Sequence, residues 1–228
     1  MHQFLYGTFP YIALTVLAIG SIARYERDPF TWKSGSSQFL RRKQLIWGSI
    51  FFHVGVLAIF GGHLVGLLTP LSVWEALGVS HGTKQWIAII LGGVAGITML
   101  VGGLMLAHRR LFDARVRARS TFADTAILLM LIVQVILGLT TIFVSLQHLD
   151  GEEMTKFMHW AGGIFLFDGD AASYIADVNI LFKLHIFFGL TIFLIFPFTR
   201  LVHMLSAPVR FLWRPGFQVV RTRKGKKS

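Results

Sequence analysis

The chain contains no cysteine, and that absence removes whole classes of chemistry at the outset. Disulfide scaffolds, thiolate-held iron–sulfur clusters and thioether-attached haem all need the missing sulfur. Charge is scarce as well, with 14% of the 228 residues charged against 54% hydrophobic. A soluble domain carries about 25% charged residues, so this balance belongs to an integral membrane protein. No Gly-x-Gly-x-x-Gly enters a strand–helix unit, and neither a Walker sequence nor His-Glu-x-x-His occurs. Molybdenum, iron–sulfur or flavin chemistry would have to lie in another subunit.

What the chain does have is long apolar runs, over residues 4–22, 45–68, 86–107, 126–146 and 180–205. Each is close to the 20 or so residues that cross about 30 Å of hydrocarbon as a helix. Spanning strands would be about ten residues long with alternating polarity, which these are not. The expected fold is therefore all-α, an integral membrane five-helix bundle forming a single domain over 1–228, with a basic tail from about 206 to 228. Met1 to Tyr6 lacks Lys and Arg, and no small-residue cleavage site precedes Arg24, so the first run is expected to stay in the mature protein.

Basic residues alternate between the connections. Arg24, Arg27, Lys33, Arg41, Arg42 and Lys43 follow the first run, Arg109, Arg110, Arg115, Arg117 and Arg119 follow the third, and the tail carries Arg210, Arg214, Arg221, Arg223, Lys224, Lys226 and Lys227. The other connections hold little beyond Lys84, Lys156 and Lys183. Because cytoplasmic loops are enriched in Lys and Arg, the N-terminus is expected outside and the C-terminus in the cytoplasm, in a multi-pass protein of a prokaryotic cytoplasmic membrane. The net charge of +11 is then explained by insertion and anionic headgroups, with nucleic acid excluded as a partner and membrane lipid implied.

Histidines inside the apolar runs are the sharpest functional signal. His53 and His63 lie in the second run, His185 and His203 in the fifth. An intramembrane imidazole without a partner is costly, so each is a candidate site. The two runs cross in opposite senses, so depth pairs His63 with His185 and His53 with His203. Eighteen residues make five whole turns, which places His185 and His203 on one face of the fifth helix. Ten residues leave His53 and His63 about 80° apart, and Gly61-Gly62 and Pro197 are candidate kinks. Two imidazoles per level suit two stacked bis-histidine haems, which act as electron carriers because no iron position stays open. The plainer reading is hydrogen bonding within the bundle or a proton pathway, as in a non-haem proton-coupled transporter. His2, His81, His108, His148 and His159 read as interfacial residues.

Glycines crowd the third run at Gly92, Gly93, Gly96, Gly102 and Gly103, a small surface suited to close helix packing. The connection from Asp150 to Asp177 leaves open a short interfacial helix, with Met154, Phe157, Met158 and Trp160 on the membrane surface.

Phe52-His53-Val54-Gly55, Gly62-His63-Leu64-Val65-Gly66-Leu67-Leu68-Thr69-Pro70, Leu184-His185 and Phe196-Pro197-Phe198-Thr199-Arg200-Leu201-Val202-His203 closely resemble the gamma subunit of respiratory nitrate reductase. Arg24-Tyr25, Thr31-Trp32, Ser36-Ser37-Gln38, Arg109-Arg110-Leu111-Phe112, Arg115-Val116-Arg117-Ala118 and Gln147-His148-Leu149-Asp150-Gly151 extend the similarity along nearly the whole chain. The resemblance implies a cytochrome b with two non-covalent haems, His63 and His185 holding the distal iron and His53 and His203 the proximal one. It implies quinol oxidation near the outer haem and electron delivery to an iron–sulfur beta subunit and a molybdenum alpha subunit on the cytoplasmic side. Lys84 resembles the family's quinol-site lysine, although the connection from Thr69-Pro70 is one residue longer here; snorkelling at the interface is its plainer role. Gly62 would let a quinol ring approach, or serve packing, and Arg110 would pair with a haem propionate, or serve insertion alone. A related cytochrome b serving another cytoplasmic reductase stays open at this stage.

Overall fold

A computed structural model describes residues 1–28 and 40–206. Thr31-Trp32, Ser36-Ser37-Gln38, Lys33 and the basic tail beyond Ser206 lie outside the described residues. Among those described there is no strand, and five helices are long and apolar enough to cross a membrane, over Phe4–Arg27, Arg42–Leu68, His81–Phe112, Phe122–Ser145 and Ile180–Phe198. The first span opens with a π-helical turn, Phe4–Thr8, and continues as α1, Phe9–Arg27. Then follow α2 (Arg42–Leu68), the short α3 (Leu71–Ala76), α4 (His81–Phe112), α5 (Ala114–Ala118), α6 (Phe122–Ser145), α7 (Glu152–Phe165) and α8 (Ile180–Ile195).

Helix ends are set by local chemistry. Ser80 caps α4, its hydroxyl accepting from the Thr83 N–H, and Thr121 and Asp124 form a reciprocal capping box at the start of α6. Asp113 ends α4 and starts α5: its Oδ1 accepts from the Arg115 and Val116 N–H groups, while Oδ2 accepts from Arg41 Nε at 2.7 Å. The third span thus runs from His81 rather than 86 and continues to Phe112, because these caps sit beyond the apolar stretch that hydropathy alone detects.

The fifth run is not one continuous helix, which corrects the five-turn argument. The α-helix stops at Ile195, Phe196–Phe198 tightens into a 3-10 turn, Thr199 is extended, and a second 3-10 segment carries Arg200–Ser206. Pro197 has no N–H to donate, so a break is expected there. Arg24 reaches across the break from α1, its Nη1 donating to Pro197 O at 2.6 Å and Thr199 O at 2.8 Å. Buried Thr199 completes the turn, its hydroxyl donating to Phe196 O and accepting from the Leu201 N–H. The other candidate kink does not interrupt its helix: α2 runs unbroken through Gly61-Gly62.

Packing runs in sequence from α2 to α4, α4 to α6, α6 to α8 and α8 to α1, whereas α2 and α8 make no extensive contact. The closest approach is between α2 and α4. A Cβ on Gly55 would overlap the Met99 backbone, and one on Gly102 would overlap the Phe52 backbone. Gly48 faces Leu106, Gly96 faces Leu139 and Gly103 faces Ile132, so the glycines of α4 do serve packing, except Gly92, which meets open space.

The connection 150–177 folds inward rather than lying on a membrane surface. α7 buries Met158, Trp160, Ala161, Gly163 and Ile164, and Trp160 Nε1 donates to Tyr6 O at 2.8 Å. Met158 and Trp160 therefore belong to the interior, together with Tyr6, Ala13, Ile175 and Phe182. His2 bonds Ala172 O and Tyr6 donates to Lys183 O, so the N-terminus, the 69–80 connection and the 146–179 connection share one end of the bundle. Arg24 with Thr199, Arg41 with Asp113, and Arg200 with Asp124 gather at the other. This second end is the basic one.

Candidate haem and quinol site

α2 contributes His53 and His63 toward the gap it leaves with α8. The structure brings both depth pairs together: His53 and His203 have ring centres 6.2 Å apart, and His63 and His185 have theirs 6.1 Å apart. Imidazole bonds zinc at about 2.0–2.1 Å and a ring centre lies about 1.1 Å from its nitrogens, so two rings flanking one metal ion have centres about 6.3 Å apart. Both pairs match that spacing. Among the described residues no group of three or more His, Cys, Asp or Glu could hold a metal ion.

Tautomers point the same way. His53 Nδ1 lies 2.7 Å from Ser49 O, His63 Nδ1 lies 2.9 Å from Ile59 O, and His203 Nδ1 contacts Arg200 O. A carbonyl oxygen only accepts, so each Nδ1 carries the proton and each Nε2 keeps its lone pair. Such an arrangement orients a metal-ligating imidazole and raises its basicity. His185 is held differently. Its ring lies against α6, where a Cβ on Gly138 would come 3.0 Å from Cε1, and its backbone carbonyl accepts from Gln134 Nε2 at 3.1 Å. Its Nδ1 is buried without a hydrogen-bond partner among the described residues.

Lys84 is 5% exposed, so it does not snorkel to the interface. Its Nζ donates to Gly66 O at 2.8 Å, contacts the Met158 sulfur and lies 4.9 Å from the Trp74 ring centre. Gly66 is three residues beyond His63 on α2, which puts a cation just past the His63 level. A Cβ on Gly62 would meet nothing within 4 Å, and the same holds for Gly61 and Gly66. Gly62 is thus neither a packing nor a kink glycine, and the wall beside His63 is open. Arg110, near the basic end of α4, has Nη1 buried without a hydrogen-bond partner among the described residues. Arg200 and Asp124 are its charged neighbours. That orphaned donor fits an anionic group such as a propionate.

Sequence reasoning did not single out Gly138, Gln134 or Trp74, and it considered Met158 only for a membrane surface. Only Gly138 left a trace, as an isolated glycine inside an apolar helical run.

These features define a multi-pass helical membrane protein with two stacked imidazole pairs in an open seam. The family model described as "Nitrate reductase gamma subunit" matches residues 2–223. The chain is 45% identical to the respiratory nitrate reductase 1 gamma chain of Escherichia coli (strain K12), covering 98% of both chains. It is 40% identical to the nitrate reductase gamma chain of Bacillus subtilis (strain 168), covering 93% of this chain and 95% of that one. A further likeness, at 33% identity, is to the nitrate reductase-like protein NarX of Mycobacterium tuberculosis, of which this chain spans 34%. The chain belongs to the nitrate reductase gamma subunit family. As such it is the membrane subunit of a nitrate reductase, an oxidoreductase, and a multi-pass protein of the cytoplasmic membrane.

Proposed function

We propose that this chain is a cytochrome b that oxidises quinol near the outer face and sends the electrons inward for nitrate reduction. Its orientation follows the basic residues, with the N-terminus outside and the Arg41–Asp113 end in the cytoplasm. His53 and His203 would hold the proximal haem, His63 and His185 the distal one, and Arg110 a propionate. When bound, the haems supply one-electron transfer across the membrane without a proton channel.

The protein's own residues do the remaining work. Nδ1–H bonds to Ser49, Ile59 and Arg200 carbonyls hold three imidazoles and leave their Nε2 lone pairs for a haem iron. At the outer end the open face of Gly62 admits a quinol ring beside His63, and the Lys84 ammonium donates to a quinol oxygen. Each quinol gives up two electrons and two protons, and the protons leave to the outer aqueous side. The basic end docks an iron–sulfur beta subunit, itself joined to a molybdenum-containing alpha subunit that reduces nitrate.

The observation that carries this reading is the pair of 6.1 and 6.2 Å imidazole spacings. A proton pathway has no need of two ring pairs each at the width of a shared metal ion. The test is a reduced-minus-oxidised spectrum with a haem-to-protein ratio on the purified complex. Two haem equivalents are expected, and His63→Ala is expected to retain one and to lose quinol-driven reduction. A His63→Ala protein with both haems and normal reduction would overturn the assignment.

A further inference from the structure

His203 is the one paired imidazole that does not stand on a regular helix. Its segment, Arg200–Ser206, hangs beyond the break at Pro197 and the extended Thr199. Nothing in the backbone ladder of α8 therefore dictates where it points. Three contacts do. Arg24 Nη1 donates to both Pro197 O and Thr199 O, one carbonyl on the turn before the break and one at the extended residue itself. Gly20, one turn before Arg24 on α1, lets Pro197 seat against the helix, since a Cβ there would lie 2.9 Å from Pro197 Cγ. Arg200 Nη1 reaches Asp124 at 3.7 Å, a looser tie to α6.

We infer that Arg24, seated by Gly20, is a positioning residue for His203: it clamps the broken helix so that this imidazole stands opposite His53. This rests on the haem assignment above but concerns a residue far in sequence from any ligand. A guanidinium suits the task because the two N–H bonds of its Nη1 spread in one fixed plane toward the two carbonyls. An ammonium supplies the charge without that fork, so Arg24→Lys should restore part of the geometry and Arg24→Ala none. His63 and His185 stand on unbroken α-helices ahead of the break, which makes their level an internal control.

The experiment is low-temperature electron paramagnetic resonance and haem quantitation on the membrane-embedded complex of wild type, Arg24→Ala, Arg24→Lys and Gly20→Ala. The wild type reads out the underlying assignment: without two low-spin haem signals, that assignment fails first and separately. Given both signals, Arg24→Ala is expected to lose or shift the His53/His203 signal while the other keeps its position and intensity. Arg24→Lys is expected to lie between wild type and Arg24→Ala, and Gly20→Ala to shift the same signal by less. Unchanged signals in Arg24→Ala, or equal loss of both, would overturn the inference, the second result marking a general folding role instead.

Discussion

The two imidazole levels reach nearly the same ring spacing by different constructions. At the His63/His185 level the partner on α8 sits in an unbroken α-helix, its ring against the bare backbone at Gly138 and its carbonyl bonded by Gln134. At the His53/His203 level the partner rides on a short 3-10 segment that is steered from α1 and α6. Ring planes differ accordingly, 38° apart at the first level and 72° at the second. A regular helix needs no outside help to aim a side chain, whereas a broken one must borrow donors, so remote residues matter most where the backbone ladder stops. If the planes persist around bound haem, the two levels should give distinct low-spin resonance signals, since ligand orientation tunes each centre.

The comparison breaks most completely where both levels share a support. Gly102→Leu forces α4 away from the Phe52 backbone and displaces the whole of α2, histidines included. Overpacking of this kind costs about 3 kcal/mol or more, and both haem equivalents should fall together in a haem-to-protein assay. Gly92→Leu, which meets nothing within 4 Å, should leave both in place.

A second experiment separates quinol from haem. Lys84→Met keeps an unbranched apolar stem but removes the donor to Gly66 O. Quinol-driven reduction should drop about tenfold, equivalent to about 1.4 kcal/mol, with the haem content unchanged. Equal rates for mutant and wild type would remove Lys84 from the quinol site.

Gly138→Ala probes the helical level alone. The new methyl lies 3.0 Å from His185 Cε1, tight enough to rotate the ring without expelling it. A redox titration should show the His63/His185 midpoint displaced and the His53/His203 midpoint fixed.

The smallest effect concerns the tie between α7 and the start of α8. Asp177 accepts from Lys156 Nζ at 2.9 Å, and this bond holds its carboxyl below the ordinary 3.8 while raising the Lys156 ammonium above 10.5. A depressed carboxyl contributes stability that is present above 3.8 and is lost as pH falls through the lower folded value. A raised ammonium contributes stability present below 10.5 and lost as pH climbs through its folded value. Thermal unfolding of wild type and Asp177→Asn should therefore differ slightly at neutral pH and converge at strongly acidic pH. The gap is small because both groups are solvent-accessible and screened.

Five spans and both histidine pairs were legible in the chain because hydropathy and depth are one-dimensional properties, carried by residue type and position along a span. The alternation of basic connections likewise sorted the two ends. Less was legible where the answer depended on a neighbour. Met158 and Trp160 read as surface residues because an amphipathic helix has an apolar face whether a bilayer or a protein covers it; Tyr6 and Lys84 decided between them. Lys84 read equally as a snorkelling residue, since only the fold shows that Gly66, Trp74 and Met158 close around it.

By itself, then, the sequence determined an all-α multi-pass protein, its family, and four intramembrane histidines matched in depth. Tertiary structure alone decided that α2 and α8 stand apart with their paired imidazole ring centres 6.1 and 6.2 Å from each other, that Pro197 divides the fifth span, and that Arg24 bonds carbonyls across that break. The physical reason is that composition sets which segments leave water, while the spacing between them is set by glycine contacts and hydrogen bonds joining residues up to 177 positions apart.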